Sequence, residues 1–208
     1  MAKRQKPKFI DAILQQDEKL TKKVVGHLLS STSLKSLKTH CKALEISCNG
    51  IVWLACWIAL IWLLNDKERY ESQLNMMIGL IFDIVVIAVM KAAFRRRRPT
   101  PCTDMMTIGP DKFSFPSGHA SRAVFVTMFF IYLSPISAIW WMPLLAWCTA
   151  VCLSRIIIQR HYILDVLVGV VVGCLEAGVI CILWIGKDAA QSIISSMSND
   201  NLPGGEDE

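Results

Sequence analysis

The chain has 208 residues, is 53% hydrophobic with a mean hydropathy of +0.44, and carries a formal net charge of +5. Its length suits one domain, and so apolar a balance argues against a soluble protein and for a membrane one. Ten Lys or Arg against four Asp or Glu fall in the first 45 residues; beside apolar spans, such a basic arm reads as attraction to anionic lipid and not to nucleic acid.

Met1–Lys8 is basic and expected to be disordered. Phe9–Ser30 places Phe9, Ile13, Leu20, Val24 and Leu28 near a helical period, with Asp17, Lys19, Lys22 and Lys23 among its polar positions. It is too charged to span and predicts an amphipathic helix in the interface or at the bundle edge. Leu34–Leu44 predicts a second short surface helix. Five apolar spans follow, at about Glu45–Leu64, Leu74–Phe94, Ser117–Leu133, Ile136–Ile158 and His161–Ile185. Pro143 predicts a kink in the fourth. The Gly169/Gly173 spacing in the fifth permits close helix packing. Asp83, Lys91 and Glu176 lie within spans, where ionisable groups should face the bundle interior. The expected organisation is an all-α membrane bundle, with residues 1–44 as a basic N-terminal region, 45–186 as the transmembrane catalytic domain and 187–208 as an acidic disordered tail.

Of the eight cysteines, five fall inside hydrophobic runs and none forms a CxxC pair, so neither a zinc nor a redox motif is indicated. Cys102, in the long Pro- and Arg-rich loop Arg95–Pro116, is the one expected to be exposed.

Three motifs sit at span ends. In Lys91–Pro99, Lys91 and Arg98 are seven apart and would share a helix face if the helix continued that far, making a dication suited to phosphate; a positive-inside flank explains the arginine run equally well. In Phe113–Arg122, Pro116, Ser117 and Gly118 open a helix whose free N–H groups make an anion site. Gly118 allows close approach, Ser117 adds a hydroxyl, and His119 can donate a proton; the plainer alternative is an N-cap serine beside an incidental histidine. In Ser154–Asp165, His161 and Asp165 are four apart and share a helical face, an arrangement in which a carboxylate can orient an imidazole. Arg155 there offers a planar fork for phosphate. Alternating spans bring all three motifs to one side of the membrane. No acidic or cysteine cluster accompanies them, so no metal is called for.

Lys91–Pro99 matches KxxxxxxRP, Pro116–His119 matches PSGH, and Ser154–Asp165 matches SRxxxxxHxxxD. In that order they resemble the signature of the type 2 phosphatidic acid phosphatase family, whose fold is shared with vanadium haloperoxidases. The run RRRRP followed by FSFPSGHASR is most similar to the polyisoprenoid (presqualene) diphosphate phosphatase branch. The resemblance implies metal- and cofactor-free hydrolysis of presqualene, farnesyl or geranylgeranyl diphosphate. His161 is then the nucleophile, His119 the general acid and base, and Asp165 the group that orients His161. Lys91, Arg98, Ser117, Gly118 and Arg155 hold the phosphate. Arg122 could reach a second phosphate, with surface anchoring the favoured role. The alternatives are a phosphatidic acid or lysophospholipid phosphatase and a non-catalytic membrane scaffold. The expected setting is the endoplasmic reticulum membrane or nuclear envelope, with a bilayer-resident lipid as partner.

Overall fold

Residues 8–30, 34–100 and 112–199 are described by the structure, a computed structural model. The basic stretch before Lys8, the middle of the Arg95–Pro116 loop with Cys102, and the final NLPGGEDE lie outside them. The regular elements of the described residues are helices: α1 (Lys8–Ser30), α2 (Leu34–Ser47), α3 (Gly50–Leu64), α4 (Tyr70–Phe94), α5 (Gly118–Met128), α6 (Trp141–Ile157), α7 (Ile163–Ile182) and α8 (Lys187–Asn199). A π turn, Phe129–Leu133, extends α5, and a 3-10 turn, Ala138–Trp140, leads into α6.

Three helices are long and apolar enough to cross a bilayer: Tyr70–Phe94, Ala138–Ile157 and Ile163–Ile182. A fourth span arises only if Thr39–Ser47 and Gly50–Leu64 are taken together, bent by 50° at their break. The five expected spans are therefore three or four. The expected first span breaks because Asn49 turns extended and caps α3, its Oδ1 accepting from Ile51 N and Val52 N at 3.0 and 3.3 Å. The expected third span, Gly118–Leu133, is too short. Its 11 α-helical and 5 π-turn residues cover roughly 24 Å of a hydrocarbon layer about 30 Å thick. Pro143 falls in the first turn of α6, where its missing N–H leaves no intrahelical bond unmade. The tail expected to be disordered is helical as far as Asn199, with Ala190 and Ile194 of α8 buried against Tyr70 and Leu74 of α4.

The core gathers around α5. Phe125, Val126 and Phe129 pack with Met76 and Leu80 of α4 and Ala177 and Ile180 of α7. Helix α7 lies against α5 because Gly169 and Gly173 carry no side chain. A Cβ on Gly169 would stand 2.5 Å from Ser117 O, and one on Gly173 would overlap Ser121 O. On the outer surface, Ile81, Val85 and Val89 of α4 and Leu167, Val171 and Leu175 of α7 form exposed stripes at four-residue spacing, the surface that lipid solvates.

The intramembrane ionisable groups turn inward. Asp83, Lys91 and Glu176 are buried. Arg122, expected at the surface, is buried too: its Nη2 is 2.5 Å from Asp83 Oδ2 and its Nη1 donates to Cys48 O at 3.0 Å. Ser121 Oγ donates to Glu176 Oε2 at 2.9 Å. Pairing is what makes such groups tolerable away from water.

Candidate active site

Helix α4 stops at Phe94, because Arg95 enters the left-handed region at φ 49° and its N–H closes the last turn on Lys91 O. Lys91 and Arg98 thus share no helical face. Arg98 is carried instead by an extended segment in which Arg97 bridges antiparallel to Phe113, Ser114 N donates to Arg96 O at 2.8 Å, and Thr100 Oγ1 donates to Gln159 Oε1 at 3.3 Å. That segment runs beside the α6–α7 turn.

His161 lies in that turn with 2% of its surface exposed. Its Nδ1 is 2.7 Å from Ser114 O. A carbonyl only accepts, so Nδ1 carries the proton, and Nε2 keeps its lone pair. Burial pushes the His161 pKa well below the usual value, helped by the cations Arg98 and Lys91 and by His119. A neutral imidazole with one fixed N–H and one free lone pair is the form a nucleophile needs.

Asp165 is fully buried in the first turn of α7. Its Oδ2 accepts from Tyr162 N at 2.9 Å and stands 3.9 Å from His161 Nδ1, beyond hydrogen-bond reach. Its Oδ1 accepts from Arg96 Nη1 at 2.6 Å. The expected carboxylate–imidazole hydrogen bond is therefore replaced by the Ser114 carbonyl, and Asp165 bonds instead to the backbone of Tyr162, the residue after His161.

On the facing side, Ser117 is the N-cap of α5, its Oγ accepting from Ala120 N at 3.4 Å and its N donating to Asp165 O at 2.9 Å. Gly118 follows under α4, where a Cβ would meet Ile87 Cγ2 at 3.0 Å. His119 Nε2 lies 3.1 Å from Glu45 O, which leaves Nδ1 as its second nitrogen. Arg155 is buried, with Nε donating to Ser154 Oγ at 3.1 Å, Nη2 to Cys41 O at 3.2 Å and Nη1 3.2 Å from Glu45 Oε1. Among the described residues, no group of three or more His, Cys, Asp or Glu side chains is placed to hold a metal ion.

Residues the motifs do not mark thus enter the site. Ser114 contributes a backbone carbonyl, which no side-chain pattern could reveal. Asp17 comes from a helix read only as an interfacial element, and Glu45, read as the start of the first span, lies near the end of α2. Arg96 fills a variable position between Lys91 and Arg98.

Comparison with known proteins fits this arrangement. Residues 72–188 match the PAP2 superfamily. The chain is 30% identical over 147 residues to the probable lipid phosphate phosphatase beta of Arabidopsis thaliana, covering 58% of this chain and 68% of the relative. Its fold resembles that of a transmembrane PAP2-type phosphatidylglycerolphosphate phosphatase from Bacillus subtilis, with TM-score 0.64 and 21% identity over 81% of this chain and 84% of that one. Aquifex aeolicus LpxE aligns with TM-score 0.60 and 17% identity over 78% and 92% of the two chains. The superfamily match spans more than half of the sequence and holds all three motifs, and the chain therefore belongs to the PAP2 superfamily as a membrane-embedded phosphohydrolase.

Proposed function

We propose that this chain hydrolyses the phosphate monoester of a bilayer-resident lipid of the phosphatidic acid class through a phosphohistidine on His161. The observation that carries this is the fixed tautomer of a buried imidazole: Nδ1–H is held by Ser114 O, and Nε2 keeps its lone pair as the nucleophilic nitrogen. His161 Nε2 attacks phosphorus as the bond to the lipid oxygen breaks. His119 enters this step as imidazolium, its Nε2–H held by Glu45 O, and the leaving alkoxide takes the proton from its Nδ1. His119 then accepts a proton from water, the water oxygen bonds to phosphorus, and the phosphorus–nitrogen bond breaks to release inorganic phosphate. Lys91, Arg98 and Arg155, with Ser117 and the Gly118 N–H, hold the non-bridging oxygens, the charge stabilisation that dominates phosphoryl transfer. Asp165 stabilises the positive charge that His161 develops.

The Arabidopsis relative, a probable lipid phosphate phosphatase, supports a lipid phosphate as substrate. The second reading, isoprenoid diphosphate hydrolysis, rests on the RRRRP and FSFPSGHASR runs. Arg122, the side chain considered for a second phosphate, pairs with Asp83 and Cys48 O. The endoplasmic reticulum or nuclear envelope is the proposed location. Phosphate release by purified protein from phosphatidic acid, lysophosphatidic acid, farnesyl diphosphate and presqualene diphosphate tests both readings. A higher kcat/KM for the diphosphates would replace the first by the second.

A further inference from the structure

The four arginines after α4 are not alike. Arg95 and Arg97 are exposed and Arg98 is half-buried, but Arg96 is buried, at 8%. Its guanidinium lies 4.0 Å above the ring of Tyr162, the neighbour of His161. Nη1 is 2.6 Å from Asp165 Oδ1, and Nη2 is 2.8 Å from Asp17 Oδ2 of α1. Its main chain serves the other side of the histidine: Arg96 O accepts from Ser114 N at 2.8 Å, and Ser114 O accepts from His161 Nδ1 at 2.7 Å. Asp17 does more than balance charge. Its Oδ1 accepts from Leu164 N at 3.0 Å, and Thr21 Oγ1 accepts from Ile163 N at 3.2 Å, so α1 satisfies two of the free N–H groups at the start of α7.

We propose that Arg96 and Asp17 are positioning residues for His161, gripping it through Ser114 on one side and through Asp165 and the start of α7 on the other. Neither residue touches the phosphate. Asp17 lies outside residues 72–188, so the N-terminal helix supplies part of a site that the superfamily core does not complete by itself. An ion pair alone would be a structural tie. This one is joined at the Arg96 end, through Asp165, to the N–H of Tyr162 beside the histidine, and at the Asp17 end to Leu164 N in the first turn of α7; partners of this kind set the orientation of the group they support. The inference rests on His161 as nucleophile.

The test uses full-length protein in detergent micelles with a short-chain phosphatidic acid, measuring kcat and KM for Arg96→Met, Arg96→Lys, Asp17→Asn, Arg96→Met with Asp17→Asn, and His161→Ala. Arg96→Met should lower kcat by about 10- to 100-fold with KM within twofold, the size of loss seen when an orienting partner is removed. Arg96→Lys should recover part of it, Asp17→Asn should lose less than Arg96→Met, and the double variant should be no worse than Arg96→Met. A raised KM at unchanged kcat would make Arg96 a phosphate ligand and overturn the proposal. Wild-type kcat in Arg96→Met, or additive losses in the double variant, would also overturn it. Should Arg96→Met not fold, Asp17→Asn decides, because it leaves the Arg96–Asp165 pair in place: a lowered kcat at constant KM supports the proposal and wild-type kinetics overturn it. Turnover by His161→Ala would remove the underlying reading, whereas inert His161→Ala beside fully active Arg96→Met would remove this proposal alone.

Discussion

Replacing Asp165 by Asn keeps the shape of a fully buried side chain and deletes its charge. The neutral amide keeps one acceptor oxygen, enough for Tyr162 N, and turns its NH2 towards Arg96 Nη1, so that hydrogen bond is lost. Also lost is the attraction between the carboxylate and the positive charge that His161 acquires when it bonds to phosphorus. Over the 3.9 Å between Oδ2 and Nδ1, a pair of unit charges at an effective dielectric of about 20 interacts by roughly 4 kcal/mol. Arg96, 2.6 Å from the other oxygen, is present in both proteins and does not enter the difference. Roughly 4 kcal/mol corresponds to a loss of about 10³-fold in rate. A carboxylate that fixes the histidine tautomer costs about 10⁴-fold when converted to the amide; here Ser114 O fixes it instead. The assay is phosphate release from phosphatidic acid micelles, comparing kcat for Asp165→Asn with the wild type. A loss near 10⁴-fold would show that Asp165 and not Ser114 sets the tautomer. A loss under threefold would show that the carboxylate does not act across 3.9 Å.

Helix packing gives a second prediction. Gly173→Ala drives a methyl group into Ser121 O and should cost about 1–3 kcal/mol, read as a lowered midpoint of thermal unfolding in detergent. Gly178→Ala, which meets nothing within 4 Å, should be neutral or gain up to about 1 kcal/mol of helix propensity. The buried His161 predicts a pH effect on stability. Its folded pKa lies below the unfolded value of 6.5, so below that pH the unfolded state binds more protons and stability falls as pH drops towards the folded pKa; above it the group contributes no pH dependence. Arg98, Lys91, His119 and Asp165 face this group. His161→Asn should flatten the loss of unfolding midpoint between pH 7 and pH 5.5. Finally, phosphate release should persist in excess EDTA, and a loss restored by magnesium would contradict a site whose charge is supplied by side chains.

The residues proposed for the chemistry were legible in the sequence wherever a side-chain motif marks them. Lys91, Arg98, Ser117, His119, Arg155 and His161 stand in motifs whose spacing survives without a structure, and the Gly169/Gly173 pair announced the α5–α7 contact. Span number was not legible. Hydropathy cannot see Asn49 folding back to cap α3, nor does it distinguish the 11 α-helical residues of α5, lengthened by a π turn, from a full crossing. Roles carried by the backbone were also hidden: Ser114 serves His161 through its carbonyl, and any residue there offers the same atom. Asp17 was hidden for a different reason. On an amphipathic helix its polar position reads as solvent-facing, and only the packing of α1 against α7 makes it a buried partner. Arg96 was masked by its neighbours, since a run of four arginines is explained well enough by membrane flanking charge.

The central claim is a covalent phosphohistidine on His161, and trapping it is the most direct test. Wild-type protein mixed with lipid carrying radiolabelled phosphate and quenched in denaturant within one turnover should retain label that resists base and is lost in acid. Peptide mapping should place it on the segment containing His161, and His161→Ala should carry none. Label on another residue, or equal label on His161→Ala, would contradict the account.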